Sequence, residues 1–398
     1  MLSDYESLVT NRTSSMFDED VQNNLPLLRE CICNSRVAII GAAGSIGFSV
    51  VKSILRFRPA GMSLIDISEN NLVEVVRDCR SSRGLTVPDE FTVLPIGLGS
   101  VEFLRFFNES KPFDYVLNLS AIKHVRSEKD IYSLIRMIDT NVNYMADFLE
   151  GLEYRVKKFF SVSSDKAVNP ASLMGASKMV MEKILLNQRK HPFSTARFAN
   201  VAFSDGSLPF AFLRRIEKKQ PISSPRDVRR FFISHEEAGG ICLLSSMLGE
   251  NGDVYFPALK QGCDERTFAE IAVKLLEKLG YAAHECSSEE EARQDAEALI
   301  ARKKWPCFFF DSDTTGEKDY EEFYTETELV DFNRYKNIGI IKQTFNDVSP
   351  EILAAFLQFV KNAKSDRGIK KSDYVKEFQK IVPTLAHIET GKNLDQKM

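Results

Sequence analysis

Arg36-Val-Ala-Ile-Ile40-Gly41-Ala-Ala-Gly44-Ser45-Ile46-Gly47 opens as a short apolar run and breaks into three evenly spaced glycines. It then continues as a helical pattern to about Arg56. The run has strand length and a β-branched composition. Glycines at such a break allow a tight turn, let a ligand approach the backbone, and let the following helix pack on the strand. The helix start offers free N–H groups and the positive end of a dipole to phosphate. The stretch therefore predicts strand, phosphate-binding turn and helix of a dinucleotide site, with Gly41, Gly44, Ser45, Ile46 and Gly47 around the pyrophosphate. Asp66 closes the next apolar run, 62–65, where a carboxylate accepts from the adenosine ribose hydroxyls and repels a 2′-phosphate. Ile67, Ser68 and Glu69 follow, with no arginine. NAD is favoured over NADP.

Outward from this loop, strand and helix signals alternate. Further strand runs lie at 91–96, 114–119, 158–162 and 194–199. Helical patterns fall at 69–80, 101–107, 131–152 and 174–187. Such alternation predicts an α/β fold, a Rossmann-type doubly wound parallel sheet that binds ligands at its carboxyl edge. After Asn200 the alternation loosens into helix 208–218, strand 229–233, helix 235–248, amphipathic 267–279 and acidic helix 287–301. These form a smaller C-terminal substrate-binding α/β domain. Ser349 and Pro350 read as the cap and first position of helix 351–364, and 371–381 is a last helix. The expected organisation is a soluble helical extension 1–34, an NAD-binding Rossmann domain 35–199, and a nucleotide-sugar-binding domain 200–340 with some segments returning to the first sheet. A helical extension, 341–398, completes it.

Composition narrows the class. The 398 residues are 43% hydrophobic and 27% charged, with net charge −4. That is a globular balance without the basic excess expected of a nucleic-acid binder. Seven cysteines include no CxxC pair, so neither a disulfide framework nor a metal site is expected. No basic, apolar leader opens the chain, and no stretch approaches the roughly 18 apolar residues of a membrane span. The expected location is the cytoplasm.

Ser161-Val-Ser163-Ser164-Asp165-Lys166-Ala167-Val-Asn169-Pro170 follows a strand and precedes the helix carrying Gly175-Ala176-Ser177-Lys178. Asn118-Leu-Ser120-Ala-Ile-Lys123-His124-Val, Asp139-Thr140-Asn141-Val142, Arg197-Phe-Ala-Asn200-Val201, Arg230-Phe231-Phe232 and Gly316-Glu317-Lys318 with Glu321 come in consistent order. Together these motifs resemble the extended short-chain dehydrogenase/reductases. Within them they resemble the nucleotide-sugar 4,6-dehydratases of polysaccharide biosynthesis, the CapD type that includes UDP-N-acetylglucosamine 4,6-dehydratases. The resemblance spans about 36–328. It implies hydride removal from C4 of a hexose to NAD, loss of the C5 proton and the C6 hydroxyl, and return of hydride to C6. It also implies Asp165 as acid, Lys166 as base, Lys178 at the nicotinamide ribose, and Ser163 or Ser164 at the C4 oxygen. Ser120 joins the cofactor set. Lys123, His124, Asn200, Arg230 and Glu317 join the substrate set, with Arg230 on the diphosphate. A lysine base must be neutral, which requires burial or a nearby positive charge to lower its pKa.

The pattern departs in places. Met174 stands at the usual tyrosine position, four residues before Lys178, and cannot carry a proton. This argues against the alternative readings, a 4-epimerase or 4-ketoreductase, more than against a dehydratase; a non-catalytic NAD-binding scaffold is a third reading. Tyr154 and Lys158 have tyrosine–lysine spacing but precede the strand of Ser163 and read as a surface pair. Leu98 replaces the family's usual aspartate near adenine, and Asp313-Thr314-Thr315 replaces an arginine before Gly316. Arg226 and Arg229 are either diphosphate partners or a solvated charge run. Helices 131–152 and 174–187 match the pair through which the superfamily commonly dimerises, so the expected partners are a UDP-sugar and a second copy of the chain.

Overall fold

Runs buried on both faces make parallel strands, and runs that alternate make edges. The computed structural model, which describes residues 2–313, 316, 318, 320–343, 349–387, 389 and 391, follows this rule. In the first half, β1 (Arg36–Ile40), β2 (Gly61–Ile65), β4 (Tyr115–Asn118), β5 (Lys158–Ser164) and β6 (Phe193–Phe198) are almost wholly buried, while β3 (Glu90–Leu94) is a half-exposed edge. The second half contributes β7 (Asn200–Val201), β8 (Ile222–Pro225), β9 (Arg229–Ile233), β10 (Asp253–Pro257), β11 (Glu265–Thr267), β12 (Ala282–Glu285), β13 (Lys304–Phe310), β14 (Val330–Asp331) and β15 (Ile338–Lys342).

A nine-stranded sheet runs β14-β15-β10-β6-β5-β4-β1-β2-β3. It is parallel from β10 to β3, with β15 and β14 added antiparallel. The chain winds outward from β1 through β2 to β3, then returns to β4 on the other side of β1. That reversal opens a crevice at the carboxyl ends of the strands. The fold is the Rossmann-type doubly wound sheet expected above. Two smaller sheets, β11-β9-β7 and β12-β13-β8, roof the crevice from the second half. They have their own core around Phe212, Phe232 and Trp305.

The pattern at 131–152 resolves into helices Ile131–Ile138 and Tyr144–Gly151 joined by a π-helical turn, Asp139–Asn143. Extra residues in a helix of this kind turn a side chain out of register. Here Asn141 clamps the loop after β4. Its Oδ1 accepts from Ile122 N at 2.9 Å, and its Nδ2 donates to Ile122 O at 2.9 Å and to Ser177 Oγ at 3.0 Å. The acidic pattern 287–301 likewise breaks into Glu289–Gln294 and Ala296–Ala301.

Both terminal segments are built into the body. In the first, Phe17 is fully buried, Arg12 pairs with Glu237 at 2.6 Å, and Asp20 accepts from Lys336 N at 2.7 Å. In the last, helices Pro350–Ala363 and Lys371–Ile381 form a hairpin whose Phe356 and Phe378 rings meet edge-on at 4.9 Å. It shares one apolar core with Leu134, Met137, Val142, Met145, Met181 and Leu185. Lys361 with Asp147 (2.5 Å) and Lys364 with Asp139 (3.4 Å) add ion pairs.

Apolar sides of the two helices expected to receive a second copy are thus packed against the chain's own hairpin. The cover is intramolecular, so amide exchange in Leu173–Asn187 is expected to stay slow and unchanged over a thousandfold dilution. Protection that fades on dilution would assign that cover to a second copy instead.

Candidate active site

The glycine turn has the geometry that its composition implies. Gly41 lies at φ +78°, in the left-handed region, and its N–H donates to Ile65 O at 2.7 Å. A Cβ there would sit 2.7 Å from Ser120 N, and one at Gly47 would sit 2.0 Å from Gly41 O. These two glycines are needed for packing of loop on strand and helix on loop. Gly44 differs: a Cβ there meets only Gly41 O at 3.5 Å, an ordinary contact. Its bare side faces a cleft of about 630 Å³, which Gly41, Ser45, Ile46 and Gly47 also line. The turn and the N-terminus of helix Ser45–Leu55 therefore fit a pyrophosphate. Gly47→Ala is expected to displace the turn and weaken dinucleotide binding by tenfold or more, read by calorimetric titration.

Asp66 stands beside this turn, outside the lining of the cleft. Its Oδ2 accepts from Ala43 N at 3.0 Å and its Oδ1 from Ser68 N at 2.9 Å. It thus holds the glycine loop, and each oxygen retains a lone pair for a ribose hydroxyl. Ser120 also lies off the lining, between Leu119 and Ala121, which contribute to it.

Past the loop, the cleft reaches the carboxyl end of β5. A 3₁₀ turn, Asp165–Ala167, directs Asp165 and Lys166 to the same place. Lys166 Nζ stands 3.1 Å from Asp165 Oδ1 and 3.5 Å from Glu321 Oε1. Arg230 Nε lies 3.8 Å from the same Glu321 oxygen, and its Nη1 donates to Lys318 O at 2.9 Å. Asp165 and Glu321 are almost wholly buried, yet Asp165 Oδ2 and Glu321 Oε2 have no hydrogen-bond partner among the described residues. Buried polar oxygens normally find one. Here both residues line the cleft.

The surroundings of Lys166 work against the amine that a base requires. Burial works to lower its pKa, but Asp165 and Glu321 outweigh it and hold the ammonium above its ordinary value. Lys178 shows the opposite balance: burial lowers it to about 8 against weak opposition from Glu182, and Nζ donates to Val162 O at 3.1 Å. Ser164 Oγ donates to Asp165 Oδ1 at 2.9 Å and accepts from Lys166 N at 3.2 Å, so it shapes the turn. Ser163 Oγ donates to Glu182 Oε1 at 2.5 Å. Met174 lines the cleft, and its N–H donates to Glu128 Oε1 at 2.7 Å.

Lys123, His124, Asn200 and Arg230 line the same cleft. Burial, with Lys123 and Arg126 nearby, pushes His124 down to about 4, which leaves it neutral. Lys123 Nζ lies 3.4 Å from Ser204 Oγ, and Asn200 Nδ2 donates to Phe231 O at 3.2 Å. Glu317 lies outside the described residues, as do Thr314 and Thr315. Arg226 pairs with Glu285 at 2.7 Å on the surface, away from Arg230. The Tyr154–Lys158 pair is not on the surface: Lys158 is buried with Nζ on Gly249 O, and Tyr154 Oη accepts from Phe113 N at 3.2 Å.

Sequence reasoning missed three contributors. Glu321 had a signal, its place in the Gly316–Glu321 motif, but the role went to Glu317. Glu128, four residues after His124, had none. The third is the C-terminal segment. Lys371 and Glu389 line the cleft, and His387 Nε2 lies 3.3 Å from Glu128 Oε2.

Residues 37–343 match the family model described as polysaccharide biosynthesis protein. The chain belongs to that family. Among relatives, it is 27% identical to an uncharacterised membrane protein of Methanocaldococcus jannaschii, over 77% of this chain and 85% of that one. It is 29% identical to the capsular polysaccharide biosynthesis protein CapD of Staphylococcus aureus, over 60% of this chain and 40% of that one. It is 30% identical to a UDP-N-acetylglucosamine 4,6-dehydratase (inverting) of Campylobacter jejuni, over 37% of this chain and 46% of that one. The chain thus spans under half the length of the last two. A solved dTDP-glucose 4,6-dehydratase double mutant of Streptomyces venezuelae with NAD bound superposes with TM-score 0.55 at 17% identity, covering 84% of this chain and 98% of that one. At that identity the likeness shows the fold. The family member described here is an extended short-chain dehydrogenase/reductase resembling nucleotide-sugar dehydratases. Among its described residues no helix is long and apolar enough to cross a membrane.

Proposed function

We propose that this family member is an NAD-dependent nucleotide-sugar 4,6-dehydratase, a hydro-lyase that converts UDP-N-acetylglucosamine to the UDP-4-keto-6-deoxy-N-acetylhexosamine for surface polysaccharide or glycan synthesis. The observation that carries it is the Asp165–Lys166 pair, set side by side at the end of β5 in the cleft that begins at the glycine loop. The Campylobacter relative's activity and the Streptomyces neighbour's bound NAD support the same reading.

Gly41, Gly44, Ser45, Ile46 and Gly47 would hold the pyrophosphate, Asp66 a ribose, and Lys178 the nicotinamide ribose. NAD supplies a hydride acceptor that gives the hydride back within one turnover. Arg230 binds the substrate diphosphate through its guanidinium, with Asn200 beside it. Lys123 and His124 contact the sugar nucleotide from the loop after β4. Lys166 takes the C5 proton as an amine, and Asp165 protonates the departing C6 hydroxyl, which leaves as water. Acid and base must act together on neighbouring carbons, and the 3.1 Å contact provides that juxtaposition.

Incubation with NAD and a panel of UDP-, GDP- and dTDP-sugars, read by mass spectrometry in deuterated solvent, tests the reading. Expected is loss of one water from UDP-N-acetylglucosamine, deuterium at C5, and no net NADH. A product of unchanged mass with altered stereochemistry would make the enzyme a 4-epimerase. Stoichiometric NADH turnover would make it a 4-ketoreductase.

A further inference from the structure

The proposed chemistry needs Lys166 as an amine and Asp165 as an acid, whereas two carboxylates within 3.5 Å of Nζ favour the proton on Lys166. The two arrangements contain the same number of protons. One becomes the other when a proton passes from Lys166 Nζ to Asp165 Oδ1 along their 3.1 Å contact. The N–H bond breaks, an O–H bond forms, and the ammonium and carboxylate charges cancel. What selects between them is the charge around Nζ. Among the described residues, the second carboxylate paired with Nζ is Glu321, 3.5 Å away on a separate loop.

We propose that Glu321 is a positioning residue that decides where this proton rests: as a carboxylate it keeps the proton on Lys166, and once neutral it lets the proton pass to Asp165. The inference rests on the dehydratase reading for its consequence and on geometry for its content. Glu321 is nearly wholly buried, and its second oxygen, Oε2, has no partner among the described residues. It therefore lacks the hydrogen bonds that would make a purely structural carboxylate content with its charge. The groups facing it are Asp165 and Lys166 from the turn after β5, Arg230 from β9, and Lys318 from its own loop. Lys318 is turned away, donating to Val168 O at 2.7 Å, and Arg230 approaches no closer than 3.8 Å. Burial pushes the Glu321 pKa up, and Asp165 adds to the rise against the three cations, so a proton is within its reach.

The competent cluster carries one proton more than the resting one, taken from solvent by Glu321. Turnover should therefore be full below the raised Glu321 pKa and fall as pH rises through it. Glu321→Gln, neutral at every pH, should lose this alkaline decline.

A substrate-free test uses competitive acetylation of the full chain with acetic anhydride, with Lys166 labelling read by peptide mass spectrometry. Only the neutral amine reacts, and Lys166 is exposed enough to be reached, at 23%. At pH 8, Lys166 in Glu321→Gln is expected to acetylate tenfold or more faster than in the unaltered protein. Glu321→Asp, which withdraws the carboxylate by one methylene, should fall between. Equal rates in all three, with melting temperatures preserved, would overturn the proposal. Should Glu321→Gln fail to fold, an unchanged rate in Glu321→Asp overturns it alone. A shifted labelling rate in a protein that dehydrates no sugar would leave this inference standing and remove the dehydratase reading. Dehydration with unshifted labelling would do the reverse.

Discussion

Lys166→Ala is expected to lower kcat for dehydration by about 10²–10⁴-fold, the range that a positioned acid or base contributes. KM for the nucleotide sugar should change less than kcat, because the diphosphate is assigned to the Arg230 guanidinium and not to Lys166. Dinucleotide affinity, measured by titration without substrate, should also persist, since the glycine loop is untouched. Solvent deuterium at C5 separates this role from a merely structural one. A base variant should lose exchange and water elimination together, whereas Asp165→Asn should keep measurable exchange while losing elimination. Full turnover in Lys166→Ala would remove the proposed base, whereas cofactor binding without turnover in the unaltered protein would favour the scaffold reading.

Arg197→Met is expected to have the largest effect on stability, about 3–5 kcal/mol, read as a lower denaturant midpoint. Arg197 is completely buried and binds two carboxylates as a fork. Its Nη2 lies 2.8 Å from Glu182 and 2.7 Å from Glu328, its Nε 3.1 Å from Glu182, and its Nη1 2.9 Å from Glu328. Methionine fills similar volume but leaves Glu182, buried on the helix Leu173–Asn187, without its counter-charge. The pH dependence has a defined sign. Burial raises the Glu328 pKa, and Arg197 more than reverses it, so the folded value is depressed. The stabilisation from this pair is present at neutral pH and fades as pH falls through the depressed value. In the variant, the orphaned carboxylates can take up protons, so the deficit should shrink on acidification. A deficit that is constant with pH would mean that lost packing, and not lost charge pairing, causes it. Because Ser163 hangs from Glu182, the variant should also disturb the floor of the cleft beside Ser164 and Asp165.

Arg197 illustrates how far a motif reaches. Arg197, Asn200 and Val201 were legible as a family signature, but nothing in that string separated a structural arginine from a ligand-binding one. Arg230 is chemically the same residue with a different fate, because β9 carries it to the cleft while β6 points Arg197 into the core. In the second half the strands β8, β10, β11, β12, β13, β14 and β15 escaped a reading by pattern. Their burial comes from partners distant in sequence, so no local periodicity marks them. The π turn was hidden for a similar reason: Asn141 is pulled from register by the Ile122 backbone, not by its sequence neighbours.

What the sequence determined by itself is what depends on nearby residues. It set the strand, glycine turn and helix from Arg36 to Leu55, and the adjacency of Asp165 and Lys166. These follow from steric rules and chain connectivity over a few residues. Tertiary structure alone decided the rest. It brought Glu321 and Arg230 to Lys166, and it laid the C-terminal hairpin over the helices expected to meet a second copy. It also set two carboxylates beside the lysine that was expected to act as an amine. Charge state and surface cover are sums over everything within several ångströms in space, and here the deciding groups arrive from segments far apart along the chain.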